Sequence, residues 1–336
     1  MSIPKRFLFP VLGILILLVL YTAYWLHAKS TIEREVGVWI ARQESAGYLI
    51  EEERIRVTGY PYRFQVELTA PQIHAPQSDG GWNARMEILK AHALFYDFRH
   101  WILEFDGPVW LEYGSETPTI LEIDAELALV SLASNDRGET IRIGAEFSTV
   151  QIVTRSGQAP GLEAVESLLF SGAVAEDDTL RLRLEARNLA ASEAVLAPEI
   201  GRAFGRSADL ARMDLTVTQW ATLAIDADAA AWSRAGGQLL IAESALEWGP
   251  AHLSGVGEFT LDATAQPDGR LSLHITDPDA LAEALVLSRL VPAENEQALR
   301  LAAMMAPRGP DGVALPFRIR DGGVYLGPVR LGDLEN

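Results

Sequence analysis

From Gly47 onward the polar and apolar residues of this chain alternate with a period of two. Leu49, Ile55 and Val57 set the pattern, and Phe64, Val66, Leu68 and Ala70 then alternate with Arg63, Gln65, Glu67 and Thr69 without an error. A strand points successive side chains to opposite faces, so such runs predict strands with one dry and one wet face. Between the first two, Gly59-Tyr60-Pro61 predicts a turn, because glycine admits positive φ and proline fixes φ near −65°. Trp82, Ala84, Met86, Ile88, Leu94, Tyr96 and Phe98 share one parity and read as a single long strand. Trp101, Leu103 and Phe105 follow, then Leu121 to Leu129, Ile141 to Phe147, the strict Leu180-Arg-Leu-Arg-Leu184, Leu239 to Trp248, Gly257 to Leu261 and Leu271 to Ile275. Turn signals such as Asn135-Asp136-Arg137-Gly138 and Asp268-Gly269 separate them. Strands at hairpin spacing with no helices between them predict a mainly β, antiparallel body. A few short helices are expected at Ala197–Arg206, Asp279–Leu290 and Ala293–Met305, the last two parted by Pro292.

The first residues break this rule. Phe7 to Leu26 is a run of twenty residues without a charge, about 30 Å of helix and the thickness of a bilayer's hydrocarbon core. Tyr21, Tyr24 and Trp25 gather at its far end, where aromatic side chains favour the membrane interface. A cleaved signal peptide would have an apolar region of about 7–15 residues ending in small side chains; this run is longer and ends in Tyr24-Trp25-Leu26-His27. Ser30-Thr31-Ile32-Glu33 has the form of a capping box, and Ile32, Val36, Trp39 and Ile40 recur at helical spacing, predicting a second, amphipathic helix over 28–47 whose stripe docks on the body. The expected organisation is a tail over 1–6, an anchor over 7–26, that helix, and a β-rich body over 48–336, with two halves suggested near 195–235. Lys5 and Arg6 before the anchor place the N-terminus in the cytoplasm and the body outside.

Gly-Pro-x-x-Leu occurs at Gly107-Pro108, Gly249-Pro250 and Gly327-Pro328. Proline has no amide hydrogen and is tolerated at the first residue of a strand or on an edge, so the motif reads as a recurring way to begin a strand.

Composition narrows the chemistry. The net charge of −18 repels phosphate backbones, so nucleic acid is not an expected partner. Without cysteine there is no disulfide framework, thiol nucleophile or thiolate metal site. The six histidines, His92 and His100 among them, form no metal-binding spacing. Gly255-Val256-Gly257 lacks the third glycine and the following helix of a dinucleotide site and reads as turn spacing. Glu51-Glu52-Glu53 reads as a solvated strand edge, and Asp226-Ala227-Asp228 lacks the glycine and spacing of a calcium loop. No catalytic residue, cofactor site or metal site is assigned, and the chain is expected not to be an enzyme.

Several stretches taken in order resemble an alphaproteobacterial envelope family catalogued as domain of unknown function 2125. They are the anchor, the helix with Trp39, Gly59-Tyr60-Pro61-Tyr62-Arg63-Phe64, Ala70-Pro71, Leu246-Glu247-Trp248-Gly249-Pro250, Gly255-x-Gly257-x-x-x-Leu261-Asp262, Gly269-Arg270-Leu271 and Gly327-Pro328. The resemblance implies a single-pass bacterial inner-membrane protein with a periplasmic β-rich body, and brings no catalytic residues with it. The architecture is also similar, more distantly, to the AsmA-like envelope proteins, which implies a part in moving or organising lipid.

The sequence leaves open how the dry face is closed. Two sheets packed together would make a sandwich; one curled sheet would leave a trough floored by Phe64, Val66, Leu68, Leu94, Tyr96, Leu103 and Leu127. In the second case lipid or another hydrophobic ligand is the expected partner, beside the bilayer at residues 7–26. In the first the protein is a scaffold that docks other envelope proteins and binds no ligand.

Overall fold

The computed structural model describes residues 5–114, 117–226, 228–262, 266–291, 297, 300, 301, 304, 308, 309, 312–320, 322–326 and 329–333. The chain divides into two compact units. Unit 1 is Met1–Ile123, Leu129–Gly138 and Arg155–Gly157; unit 2 is Asp124–Ala128, Glu139–Thr154 and Gln158–Asn336. Residues 195–235, where the sequence suggested a division, lie inside unit 2.

Unit 1 starts with α1 (Lys5–Ser45), one unbroken helix rather than an anchor followed by a separate one. Ser30 caps no helix start; its hydroxyl donates back to the carbonyl of His27 at 2.8 Å, inside the helix. Residues 12–45 contain a stretch long and apolar enough to cross a membrane. Then come β1 (Leu49–Glu51), β2 (Arg54–Thr58), β3 (Arg63–Thr69), β4 (Gln72–His74), β5 (Asn83–Leu94), β6 (Asp97–Tyr113), β7 (Thr119–Asp124), whose last residue is counted in unit 2, and β8 (Leu127–Ser134), whose first two residues are as well. Their pairings are antiparallel: β2 with β3, β3 with β5, β5 with β6, and β6 with β7 and β8.

The turn at Gly59-Tyr60-Pro61 joins β2 to β3, with a cis Tyr60–Pro61 bond. Gly59 has φ of 101°, and a Cβ there would lie 2.6 Å from the Arg63 carbonyl oxygen, so a side chain is excluded on both counts. The core of this unit forms where α1 lies on the first hairpin. Trp25, Ala28, Ile32 and Val36 recur one turn apart and meet Val57, Phe64 and Val66. Trp39, expected on the same stripe, is exposed.

Unit 2 contains β9 (Thr140–Ser156), β10 (Leu162–Val174), β11 (Leu180–Ala191), α2 (Pro198–Phe204), β12 (Ser207–Val217), α3 (Trp220–Asp226), α4 (Ala229–Arg234), β13 (Leu239–Trp248), β14 (Ala251–Leu261), β15 (Pro267–Ile275), α5 (Pro278–Leu287), β16 (Arg308–Gly309), β17 (Gly312–Arg320), β18 (Gly323–Leu326) and β19 (Val329–Asp333). From β9 to β15 each strand pairs antiparallel with the next, and β15 pairs with β17. These eight strands make one layer. The helix expected over 293–305 falls largely outside the described residues.

Two motifs sit differently from the sequence expectation. Gly107-Pro108 does not begin a strand; it lies within β6, at a register shift opposite Glu87. The extra residue is a β-bulge, and Gly107 supplies its positive φ of 87°. Gly249-Pro250 does precede a strand, joining β13 to β14. Gly327-Pro328 lies outside the described residues. Gly255 and Gly257 are not turn spacing either, since both are inside β14.

Candidate functional site: an apolar sheet face

Directly paired residues of an antiparallel ladder present their side chains on the same face, so the register traces the faces of unit 2 row by row. One row is Ile143, Gly172, Leu182, Leu215, Ile241, Gly257, Leu271 and Phe317. The next is Ala145, Phe170, Leu184, Met213, Ser244, Gly255, Leu273 and Leu315, and the third is Phe147, Leu168, Ala186, Ala211, Leu246, Leu253, Ile275 and Val313. Eight strands at about 4.8 Å spacing make this face roughly 34 Å wide along the sheet. No charged side chain lies in it. Ser244 is its one polar side chain, and that hydroxyl donates to the Gly255 carbonyl at 3.0 Å.

Alternation alone would not have kept this face continuous. In β13 Ile241 and Ser244 both belong to it, because the register shifts between them. The bulge absorbs one residue and returns Leu246 to the dry side. Gly257 serves a close approach: a Cβ there would come 2.5 Å from the Arg270 carbonyl oxygen of the neighbouring strand.

Helices cover the two ends. Phe204 of α2 and Leu281, Ala282 and Ala284 of α5 form a buried cluster with Ala251, Ile275, Val313 and Leu315. At the other end Trp232 of α4 packs with Leu180 and Val217, supported by Trp220 and Leu223 of α3. Between these caps Leu184 and Met213 are each 40% exposed and Ile143 37%. A monomer seldom leaves contiguous apolar surface open without using it.

The opposite face of the same strands is charged and internally paired. Arg212 bridges Glu185 at 3.1 Å and Glu243 at 3.0 Å, Arg187 reaches Glu185 at 2.7 Å, and Arg270 reaches Glu258 at 2.7 Å. The Arg187 and Arg212 hydrogen bonds hold the Glu185 carboxyl below its ordinary 4.5. A carboxylate whose folded pKa is lowered stabilises the fold above its unfolded pKa, and that contribution is lost as the pH falls through the lowered value. Glu185→Gln is therefore expected to flatten the loss of stability below pH 4.5, measured by thermal unfolding at stepped pH. An acid slope equal to that of the parent would show that this carboxylate is not linked to folding.

The residues singled out from the sequence are only partly brought together. Phe64, Val66, Leu68 and Leu103 do share a face of unit 1, where Val66 pairs with Ala91 and Ala91 with Leu103. Phe64 and Val66 are not open to a ligand: they are 0% and 2% exposed beneath α1. Leu94 and Tyr96 leave that face altogether. The expected long strand is a hairpin, β5 to β6, turning at Phe95-Tyr96, and Leu94 is out of phase with Ala93, which pairs with both Phe64 and Trp101. Leu127 belongs to unit 2, half-buried. The central residues Phe170, Leu182, Met213 and Leu215 were not singled out, although Leu180 to Leu184 carries the signal for one of their strands.

The candidate reactive groups have structural partners. His92 Nε2 meets Glu104 Oε2 at 2.9 Å and His100 Nε2 meets Ser131 Oγ at 2.8 Å, so the two imidazoles do not face each other. Asp106 accepts from Lys90 at 2.7 Å and, with Glu104, holds that ammonium above its ordinary range. Asp228 is the N-cap of α4, accepting from the Ala231 amide at 2.9 Å. Among the described residues no group of three or more acids or histidines could hold a metal ion.

A protein-family model described as "Uncharacterized protein conserved in bacteria (DUF2125)" matches residues 25–335. No curated protein and no solved structure matches the chain.

Proposed function

The chain belongs to the bacterial family DUF2125, and we propose that it is a non-catalytic envelope protein, anchored in the inner membrane by α1, whose unit 2 holds lipid or another hydrophobic molecule on its apolar face. The observation that carries this reading is three rows across eight strands without a charge, covered by helices at the ends and exposed at Ile143, Leu184 and Met213. Burial of one methylene contributes about 0.8 kcal/mol, so an acyl chain laying on the order of ten of them there gains roughly 8 kcal/mol before ordering costs are subtracted. The basic residues Lys5 and Arg6 ahead of the apolar run support a cytoplasmic N-terminus and a periplasmic body. The distant likeness to AsmA-like proteins supports lipid as the ligand, by analogy of architecture.

The test uses full-length protein purified in mild detergent and exposed to a lipid carrying a photoreactive acyl chain. Crosslinks are expected in the peptides around Leu184 and Met213. Leu184→Arg with Met213→Arg should remove most of them while circular dichroism stays unchanged. Equal labelling of both proteins, or labelling confined to α1, would reject the reading. So would a protein partner crosslinked to this face in cells irrespective of lipid extraction, which is the outcome a scaffold predicts.

A further inference from the structure

The two hairpin tips of unit 1 end against α1 at the top of its apolar run. Tyr21 donates its hydroxyl to the Pro61 carbonyl, and Thr22 Oγ1 lies 2.8 Å from Tyr60 Oη. Tyr24 donates to the Phe95 carbonyl at 3.2 Å. The Tyr21 ring meets Phe95 edge-on at 5.7 Å and Trp25 meets Tyr60 edge-on at 5.4 Å. Residues 21–25 lie inside the uncharged run that ends at Leu26. At about 1.5 Å per residue the contacted segment is within roughly 8 Å of the run's end. A tip touching Tyr21 therefore cannot sit clear of a bilayer that α1 crosses.

What the tips expose is suited to that depth. Tyr62 is 78% and Tyr96 70% exposed, with Leu94 and Phe98 also exposed beside Tyr96. Aromatic rings with one polar end favour the membrane–water interface. Arg63 follows Tyr62 directly, where a long cationic side chain can reach headgroup phosphates, whereas Arg99 near the other tip is held by Asp136 and Asp97.

We infer that the Gly59–Tyr62 and Phe95–Tyr96 tips are immersed in the interfacial layer of the bilayer and, with Tyr21 and Tyr24, form one aromatic collar that fixes unit 1 on the membrane surface. This rests on α1 spanning the membrane. The body is then not tethered loosely: its first two hairpins stand on the lipid.

The chain has no cysteine, so Tyr62→Cys, Tyr96→Cys, Val19→Cys and Ser78→Cys each accept one nitroxide label. Full-length protein is reconstituted in vesicles of phosphatidylethanolamine and phosphatidylglycerol, and collisions with an aqueous nickel chelate and with oxygen are measured. Labels at 62 and 96 should meet the nickel chelate about tenfold less often than the label at 78, yet stay open to oxygen, as interfacial groups do. Tips as open to nickel as position 78, with position 19 shielded, overturn the inference alone. Tips shielded from nickel and oxygen alike would be covered by protein, which also overturns it. Position 19 open to nickel overturns the anchor reading and the inference together.

Discussion

Phe64→Ala is expected to destabilise unit 1 by about 3–5 kcal/mol, the range for removing a fully buried phenylalanine. The ring is 0% exposed, stacks on Trp25 at 5.3 Å with 12° between planes, and meets Phe98 at 5.4 Å. A loss of that size is about a fifth or more of the stability of an ordinary domain. Denaturant unfolding in detergent micelles, followed by near-ultraviolet circular dichroism, measures it. Trp25→Ala removes the other half of the stack from α1, so the double variant should lose less than the sum of the single losses. Additive losses would mean that the helix and the hairpin do not stabilise each other, and the lower half of α1 would then be a tether. The expected coupling makes it a structural lid on β2 and β3.

That lid explains why Phe64 and Val66, read from the sequence as the floor of an open trough, are buried instead. Alternation revealed that Phe64 and Val66 point to a dry side, and it revealed the helical stripe at Ile32 and Val36. It could not reveal that each is the other's cover, because the pairing is a tertiary choice between elements of compatible pattern. The error at Leu94 and Tyr96 has a local cause. The β5–β6 turn is Phe95-Tyr96, with none of the glycine, asparagine or aspartate that mark a two-residue loop. Leu94, Tyr96 and Phe98 keep one parity through it, so the aromatic tip imitates a strand. The same pull explains why tyrosine at a tip was legible as core rather than as interface.

Other parts of unit 2 escaped for different reasons. The helices α3 and α4 are 7 and 6 residues long, less than two turns each, too short for a helical period to stand out. The apolar face itself was nearly legible. Leu180 to Leu184 gives its phase in β11, and Leu271 to Ile275 gives it in β15, but β13 changes phase at the bulge between Ile241 and Ser244. A bulge moves no residue out of the sequence pattern; it moves the pattern across the sheet. The capping box at Ser30 failed because a box reports a free helix start, and α1 runs through that position.

The end cap built by α3 and α4 sets the second large effect. Trp232 is 6% exposed, its indole nitrogen donates to the Thr218 carbonyl at 2.7 Å, and a Cβ on Gly237 would come within 2.2 Å of its ring. The cap is tied down on both sides. Asp178 receives the amides of Trp220 and Ala221 at 3.0 and 2.7 Å, and Ser233 donates to the Leu261 carbonyl at 2.8 Å. Trp232→Ala should therefore cost about 3–5 kcal/mol through the cavity it leaves, with a further share from the orphaned carbonyl of Thr218. Trp232→Phe keeps most of the buried area and should cost clearly less, while Gly237→Ala should resemble the alanine variant because the indole has nowhere to go. Hydrogen exchange separates a local from a global effect. If the cap is a removable cover, the amides of Leu180, Leu182 and Val217 lose protection first and those beside α5 stay protected. Uniform loss across both ends would show instead that the two caps and the strands between them unfold as one cooperative body, leaving the apolar face no independently mobile end through which a ligand could enter.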